Sequence, residues 1–123
     1  MLLPNGEYAI VDIRKLRDYC LNPDSPRGGN KARVFASALG LTAADAPVLR
    51  TKLLAIALMA TAHLGECDIY GQRYTVDFEM VTKAGKVKIR SGWIILSGEN
   101  VPRLTTCFVK KGKGNATTKD TTA

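Results

Sequence analysis

The chain has 123 residues, 46% of them hydrophobic and 24% charged, with a formal net charge of +7. That length fits one domain with its own core, and the composition excludes wholesale disorder. Three widely spaced cysteines, Cys20, Cys67 and Cys107, speak against a disulfide scaffold or a four-ligand zinc site and are read as small buried hydrophobes.

Leu2 to Tyr8 form an ordered lead-in, and Ile10, Val11 and Ile13 make either a short strand or an anchor for the chain. Asp12 is the N-cap of a first helix running to about Leu21, with Leu16, Tyr19 and Cys20 on its apolar face. Asn22-Pro23 stops it. The segment NPDSPRGGN, Asn22 to Asn30, is a loop. Asn30 caps a second helix, Lys31 to Leu39, closed by Gly40. A third helix starts near Thr42 or Asp45, tolerates Pro47 in its first turn and continues to about His63, with Gly65 closing it. Its last three turns are apolar on most sides, which predicts a central helix covered by the sheet and by the other helices.

Past Cys67 the apolar period changes from 3.6 to 2. Tyr74, Val76, Phe78 and Met80 alternate with Arg73, Thr75, Asp77 and Glu79. Lys83-Ala84-Gly85-Lys86 reads as a hairpin turn. Val87, Ile89, Ser91 and Trp93 continue the alternation, which breaks at Ile94 to Leu96 through burial on both faces or a bulge near Gly92. Ser97 to Pro102 is a loop, and Arg103 to Val109 form the last strand. The expected fold is therefore α+β, with N-terminal helices packed on one face of a C-terminal antiparallel sheet. It forms a single domain over 1–110, followed by a disordered basic tail over 111–123. The apolar window Leu53 to Leu64 is too short to span a bilayer, and no leader is visible at the start. Both point to a cytoplasmic protein without a membrane partner.

The polar face of these strands carries the candidate chemistry. Arg73, Thr75, Asp77, Glu79, Lys88, Arg90, Arg103 and Thr105 leave the core on a common side if the strands are neighbours. Guanidinium groups at that density suit phosphate recognition, and they can stabilise the charge that develops when an RNA backbone is cleaved. The same pattern also describes the solvated face of an ordinary antiparallel sheet. Lys31 and Arg33, after Arg27-Gly28-Gly29-Asn30, are a candidate anion-binding helix start. His63, the single histidine, is read as a cap or packing residue at a helix end, and Trp93 as a buried ring. No metal or cofactor is expected, because Asp77 and Glu79 are the only carboxylates on the derived face.

Leu3-Pro4-Asn5, Lys15-Leu16 through Tyr19, Leu21-Asn22-Pro23 and Lys31-Ala32-Arg33-Val34-Phe35 combine with Tyr70-Gly71-Gln72-Arg73-Tyr74, Arg90-Ser91-Gly92-Trp93-Ile94 and Pro102-Arg103-Leu104-Thr105-Thr106. Together they resemble the bacterial domain family DUF6883. The resemblance implies kinship with domains at the C-termini of polymorphic toxins and with stand-alone proteins of toxin–antitoxin-like gene pairs. The chain fits the stand-alone form, since it begins at a methionine. The order of helices and sheet is similar to barnase-, colicin- and RelE-like ribonucleases, a fold-level analogy.

The expected activity is metal-independent cleavage of RNA through attack of a 2′-OH on phosphate. Arg73, Asp77, Arg90 and Thr105 are the catalytic candidates, and Lys31, Arg33, Gln72, Lys88, Arg103 and Thr106 would grip the RNA. A small acidic antitoxin or immunity protein is a candidate partner. The alternative is a non-catalytic module, antitoxin-like or phage-related, that binds nucleic acid or an acidic protein.

Overall fold

The computed structural model describes residues 1–110, so the tail expected over 111–123 lies outside the described residues. Helical segments fill the first half and a four-stranded antiparallel sheet of order β1-β2-β3-β4 the second. The architecture is α+β with helices against one sheet face, as the alternation predicts.

A 3-10 turn over Gly6–Tyr8 precedes α1 (Ile13–Lys15), which widens into a π-helical turn over Leu16–Cys20. Asp12 caps α1 by accepting a hydrogen bond from the Arg14 backbone N–H at 3.0 Å. The Arg14 guanidinium and that amide hold the Asp12 carboxyl down to about 2. The second helix, α2 (Gly29–Leu39), starts two residues earlier than expected. Asn30 does not cap it; its Oδ1 accepts from Arg33 Nη1 at 2.8 Å. Gly28 and Gly29 let the helix start press on the preceding turn, since a Cβ at either would lie 2.5 Å from the Tyr19 carbonyl oxygen or 2.6 Å from that of Pro23.

The third helix, α3 (Ala46–Met59), has Pro47 in its first turn and ends four residues before His63. It is not enclosed. Leu49, Leu53, Ile56 and Ala57 are buried, while Val48, Leu58 and Met59 are 55%, 50% and 74% exposed. One stripe packs and the other faces outward.

The segment that continues the apolar run is not helix but strand. Strand β1 (Ala62–Asp68) pairs with β2 (Gly71–Thr82), His63 opposite Thr75 and Ala62 opposite Val76. Ladder pairing overrides the local helical preference here. Ala60 is already extended, and the Ala62 N–H donates to the Met1 carbonyl at 2.7 Å. Strand β3 (Gly85–Leu96) follows the two-residue turn Lys83-Ala84, and β4 (Arg103–Val109) completes the sheet. Ile10 joins the outer edge of β4 through a parallel bridge to Arg103. Both readings of the break near Gly92 hold. Trp93 and Ile94 are buried on opposite faces, and a bulge lies across from Gly92, on β4.

Tyr74, Val76, Phe78, Met80, Ile89, Trp93, Leu104 and Cys107 meet Leu16, Cys20, Leu21, Phe35, Leu39, Leu49 and Leu53 in the core. Ser91 is the buried polar residue among them. It donates to the Val76 carbonyl at 2.7 Å and accepts from the Trp93 indole at 2.9 Å. Cys20 and Cys107 are buried as expected. Cys67 is exposed, because it sits at the edge strand beyond the reach of the helices. No single helix among the described residues is long and apolar enough to cross a membrane.

Candidate functional site: the outer face of the sheet

Cross-strand partners share a face, so the register decides what stands together. On β2, Arg73, Thr75, Asp77 and Glu79 face away from the core. Their partners on β3 are Ile94, Gly92, Arg90 and Lys88. On β4, Arg103 stands opposite Ile94, Thr106 opposite Gly92 and Phe108 opposite Arg90. His63 joins this face as the partner of Thr75. One row therefore crosses all four strands: His63, Thr75, Gly92, Thr106.

Arg73, Asp77 and Arg90 share one face, but each cation is answered. Arg90 Nε and Nη2 donate to the two oxygens of Asp77 at 2.9 and 3.0 Å, and Lys110 Nζ donates to Asp77 Oδ2 at 3.2 Å. The hydrogen bonds from Arg90 hold the Asp77 carboxyl below the usual range, with Lys110 adding to the effect against the opposing pull of partial burial. An anion held by two cations is a poor proton acceptor near neutrality. Arg73 donates through Nε to Asp68 at 3.3 Å, and its two terminal nitrogens have no partner among the described residues. Arg103 is held by Glu99 through Nε and Nη2 at 3.0 and 3.4 Å. Lys86 lies 3.7 Å from Glu79, and Lys88 has no carboxylate partner among the described residues. The face carries the cations Arg73, Lys86, Lys88, Arg90, Arg103 and Lys110 against the carboxylates Asp68, Asp77, Glu79 and Glu99. It is a lattice of ion pairs with a modest cationic surplus. Ile94 is only 6% exposed on this side, between Arg73 and Arg103, whose aliphatic stems can cover it.

The remaining expected residues lie elsewhere or do other work. Gln72 points to the opposite side, and its amide donates to the carbonyls of Gly65, Glu66 and Arg73, filling the bulge of β1. Arg33 is tied to Asn30 and to the Pro23 carbonyl. Lys31 Nζ sits 4.6 Å above the Phe108 ring, at the β4 rim of the face. Thr105 is the extra residue of the bulge and lines a cleft at the outer edge of β4. Thr106 Oγ1 is buried without a hydrogen-bond partner among the described residues. Among the described residues no group of three or more His, Cys, Asp or Glu is placed to hold a metal ion.

The sequence reads His63 as a cap or packing residue at a helix end, and the structure places it on a strand instead. It is exposed on β1, and on the neighbouring strand Arg73 and Asp77 are its diagonal neighbours, about 7–8 Å away and somewhat closer at their β carbons. The signal was present in Ala62 and Leu64, which alternate with His63, but it lay within a run that also reads as helix. The outer face thus offers an imidazole, a guanidinium whose terminal nitrogens are unpartnered among the described residues, a threonine hydroxyl and a glycine over which the Thr105 and Thr106 side chains close.

A family model of a domain of unknown function, DUF6883, matches residues 2–111. No curated protein matches the chain.

Proposed function

The chain belongs to the DUF6883 family, and on that premise we propose that it is a toxin-like endoribonuclease whose site is the outer sheet face around His63, Arg73 and Thr75. The observation that carries this reading is the register that sets the single histidine beside an arginine whose terminal nitrogens have no partner among the described residues, on the face turned away from the helices. An imidazole exchanges protons near neutral pH. In the reaction, His63 takes the proton of a ribose 2′-OH, the 2′-oxygen bonds to the adjacent phosphorus, and the bond from phosphorus to the 5′-oxygen breaks. That oxygen takes a proton from water, the hydroxide so formed takes the proton held by His63, and a 2′,3′-cyclic phosphate is left. Arg73 binds the non-bridging oxygens and stabilises their added charge. Arg90 contributes field rather than a free fork, and Asp77 holds Arg90 in place. Thr75 offers a hydroxyl to a phosphate oxygen.

The test is cleavage of a mixed-sequence RNA by purified protein in EDTA, beside Arg73→Ala and Arg90→Ala. Loss of most activity in the first variant and retention of a larger share in the second is expected. No cleavage by the intact protein, or equal cleavage by all three, would sink the assignment.

The pairing of Asp77 with both Arg90 and Lys110 favours a second reading, a binding module without chemistry, for nucleic acid or for a small acidic antitoxin-like protein. Growth arrest on induced expression in bacteria supports the nuclease. Harmless expression with retained RNA binding supports the module.

A further inference from the structure

Lys15 and Arg27 have no carboxylate partner among the described residues, and they line one cleft. This cleft, about 560 Å³, opens between the turn Asp12–Tyr19, the loop at Arg27 and Thr105 on β4. Its two carboxylates are already engaged. Asp12 accepts from Arg14 Nε at 3.1 Å and Nη2 at 2.8 Å, and Asp18 accepts from Arg17 Nε at 2.7 Å and Nη2 at 2.9 Å. Lys15 and Arg27 remain, with the Tyr19 and Thr105 hydroxyl-bearing side chains on the same wall. On the sheet face nearly every cation meets a carboxylate, whereas here the positive charge is unspent.

The cleft also continues the row across the sheet. Thr105 is inserted beside Thr106, and a Cβ at Gly92 would lie 3.0 Å from Thr105 Oγ1 and 3.4 Å from Thr106 Cγ2. The threonines therefore close directly over the glycine, between the His63 row and the cleft. Three strand spacings of ~4.8 Å separate His63 from Thr106, a span of about 14 Å. That is room for several nucleotides rather than for one phosphate.

We propose that the Lys15–Arg27 cleft is a phosphate subsite for a single-stranded RNA that crosses the sheet along His63, Thr75, Gly92 and Thr106. The inference rests on the nuclease reading for the far end of the strand, but the subsite itself needs no chemistry. Two cations without partners, two hydroxyls and a concave wall suit a phosphodiester anion. Tyr19 adds a ring edge on which a base can rest.

The experiment measures binding of a fluorescein-labelled 2′-O-methyl oligonucleotide of about six nucleotides, which lacks the attacking hydroxyl and so cannot be cut. Intact protein is compared with Lys15→Gln/Arg27→Gln and with Lys52→Gln on α3 as a control for bulk charge. The double change is expected to weaken binding about tenfold at low salt and to flatten the slope of log K against log salt by about 0.7, the worth of the one phosphate the cleft holds. Lys52→Gln should leave both unchanged.

Equal binding of the oligonucleotide to intact and doubly changed protein, an equal loss in Lys52→Gln, or no binding by intact protein would overturn the subsite. Melting temperatures of all variants are recorded, and if the double variant is unfolded the single Arg27→Gln, at an exposed position, decides with half the slope change. If intact protein cuts no RNA in EDTA while the double change still weakens binding, the nuclease reading falls and the subsite stands. If cleavage is normal and binding is unaffected, the subsite alone falls.

Discussion

Asp77 and Arg90 face each other across β2 and β3 and share two hydrogen bonds of 2.9 and 3.0 Å, with Lys110 Nζ 3.2 Å from the same carboxylate. The pair fixes the polar face as a structural lattice, and it removes Asp77 from proton transfer. Replacing Asp77 by Asn should leave RNA cleavage within a few-fold of intact protein and lower the unfolding free energy by less than about 1 kcal/mol at neutral pH, the range of partly exposed ion pairs.

The pH dependence of that loss has a fixed sign. The folded Asp77 carboxyl lies below its ordinary value, so its contribution is complete above the unfolded value of about 3.9 and is lost as the pH falls through the folded value. Denaturant curves of intact protein and Asp77→Asn should therefore converge below about pH 4. A gap that stays constant down to the acid limit would show that the ion pair is not its source.

His63 is exposed on β1 and shares its face with Thr75. Its replacement by Ala should reduce single-turnover RNA cleavage by about 10²–10⁴-fold, with a stability change within about 0.5 kcal/mol, typical of surface positions. Cleavage by His63→Ala at the intact rate would assign the proton transfer to another group.

Ser91 is fully buried between the Val76 carbonyl and the Trp93 indole. Ser91→Ala strands both partners, and a buried group without its hydrogen bond costs about 1–3 kcal/mol. The urea midpoint should fall accordingly, and the tryptophan fluorescence of the folded state should shift.

Cys67 is exposed while Cys20 and Cys107 are buried, and the hydrogen bond with Cys20, together with burial, raises the Cys107 thiol well above its ordinary value. An aromatic disulfide reagent should consume one thiol rapidly in native protein and the other two only on unfolding. Cys67→Ser should abolish the fast phase.

The sheet was legible because Tyr74 to Met80 and Val87 to Ile89 alternate strictly, and because Lys83 to Lys86 is a short turn between them. Alternation also fixed which residues of β2 and β3 turn away from the core, so the company of Arg73, Asp77 and Arg90 could be read in advance. What could not be read was who answers each charge. Asp68, Glu99 and Lys110 reach their partners through the bulge of β1, the loop after β3 and the end of β4, and those geometries follow from pairing register rather than from local pattern. The first strand stayed hidden for the opposite reason. Leu53 to Leu64 satisfies a helical stripe and, from Ala62, a strand as well, so only the availability of the β2 edge decides between them. His63 was misplaced with it. Lys15 and Arg27 escaped notice because nothing in the chain marks a cation whose neighbours already have other partners.

Thr105 is one residue more than the ladder between β3 and β4 requires. Gly92 pairs with Thr106 and Trp93 with Leu104, so Thr105 is skipped, yet Leu104 and Cys107 on either side of it both reach the core. Excising that single residue would let the two strands zip without interruption, leaving every other partnership of β4 as it stands. The shortened protein would be a more regular sheet with a gap in the wall beside Lys15. The irregularity is what places the Thr105 side chain over Gly92 and in the wall of the cleft, and a tidier β4 would leave plain edge there.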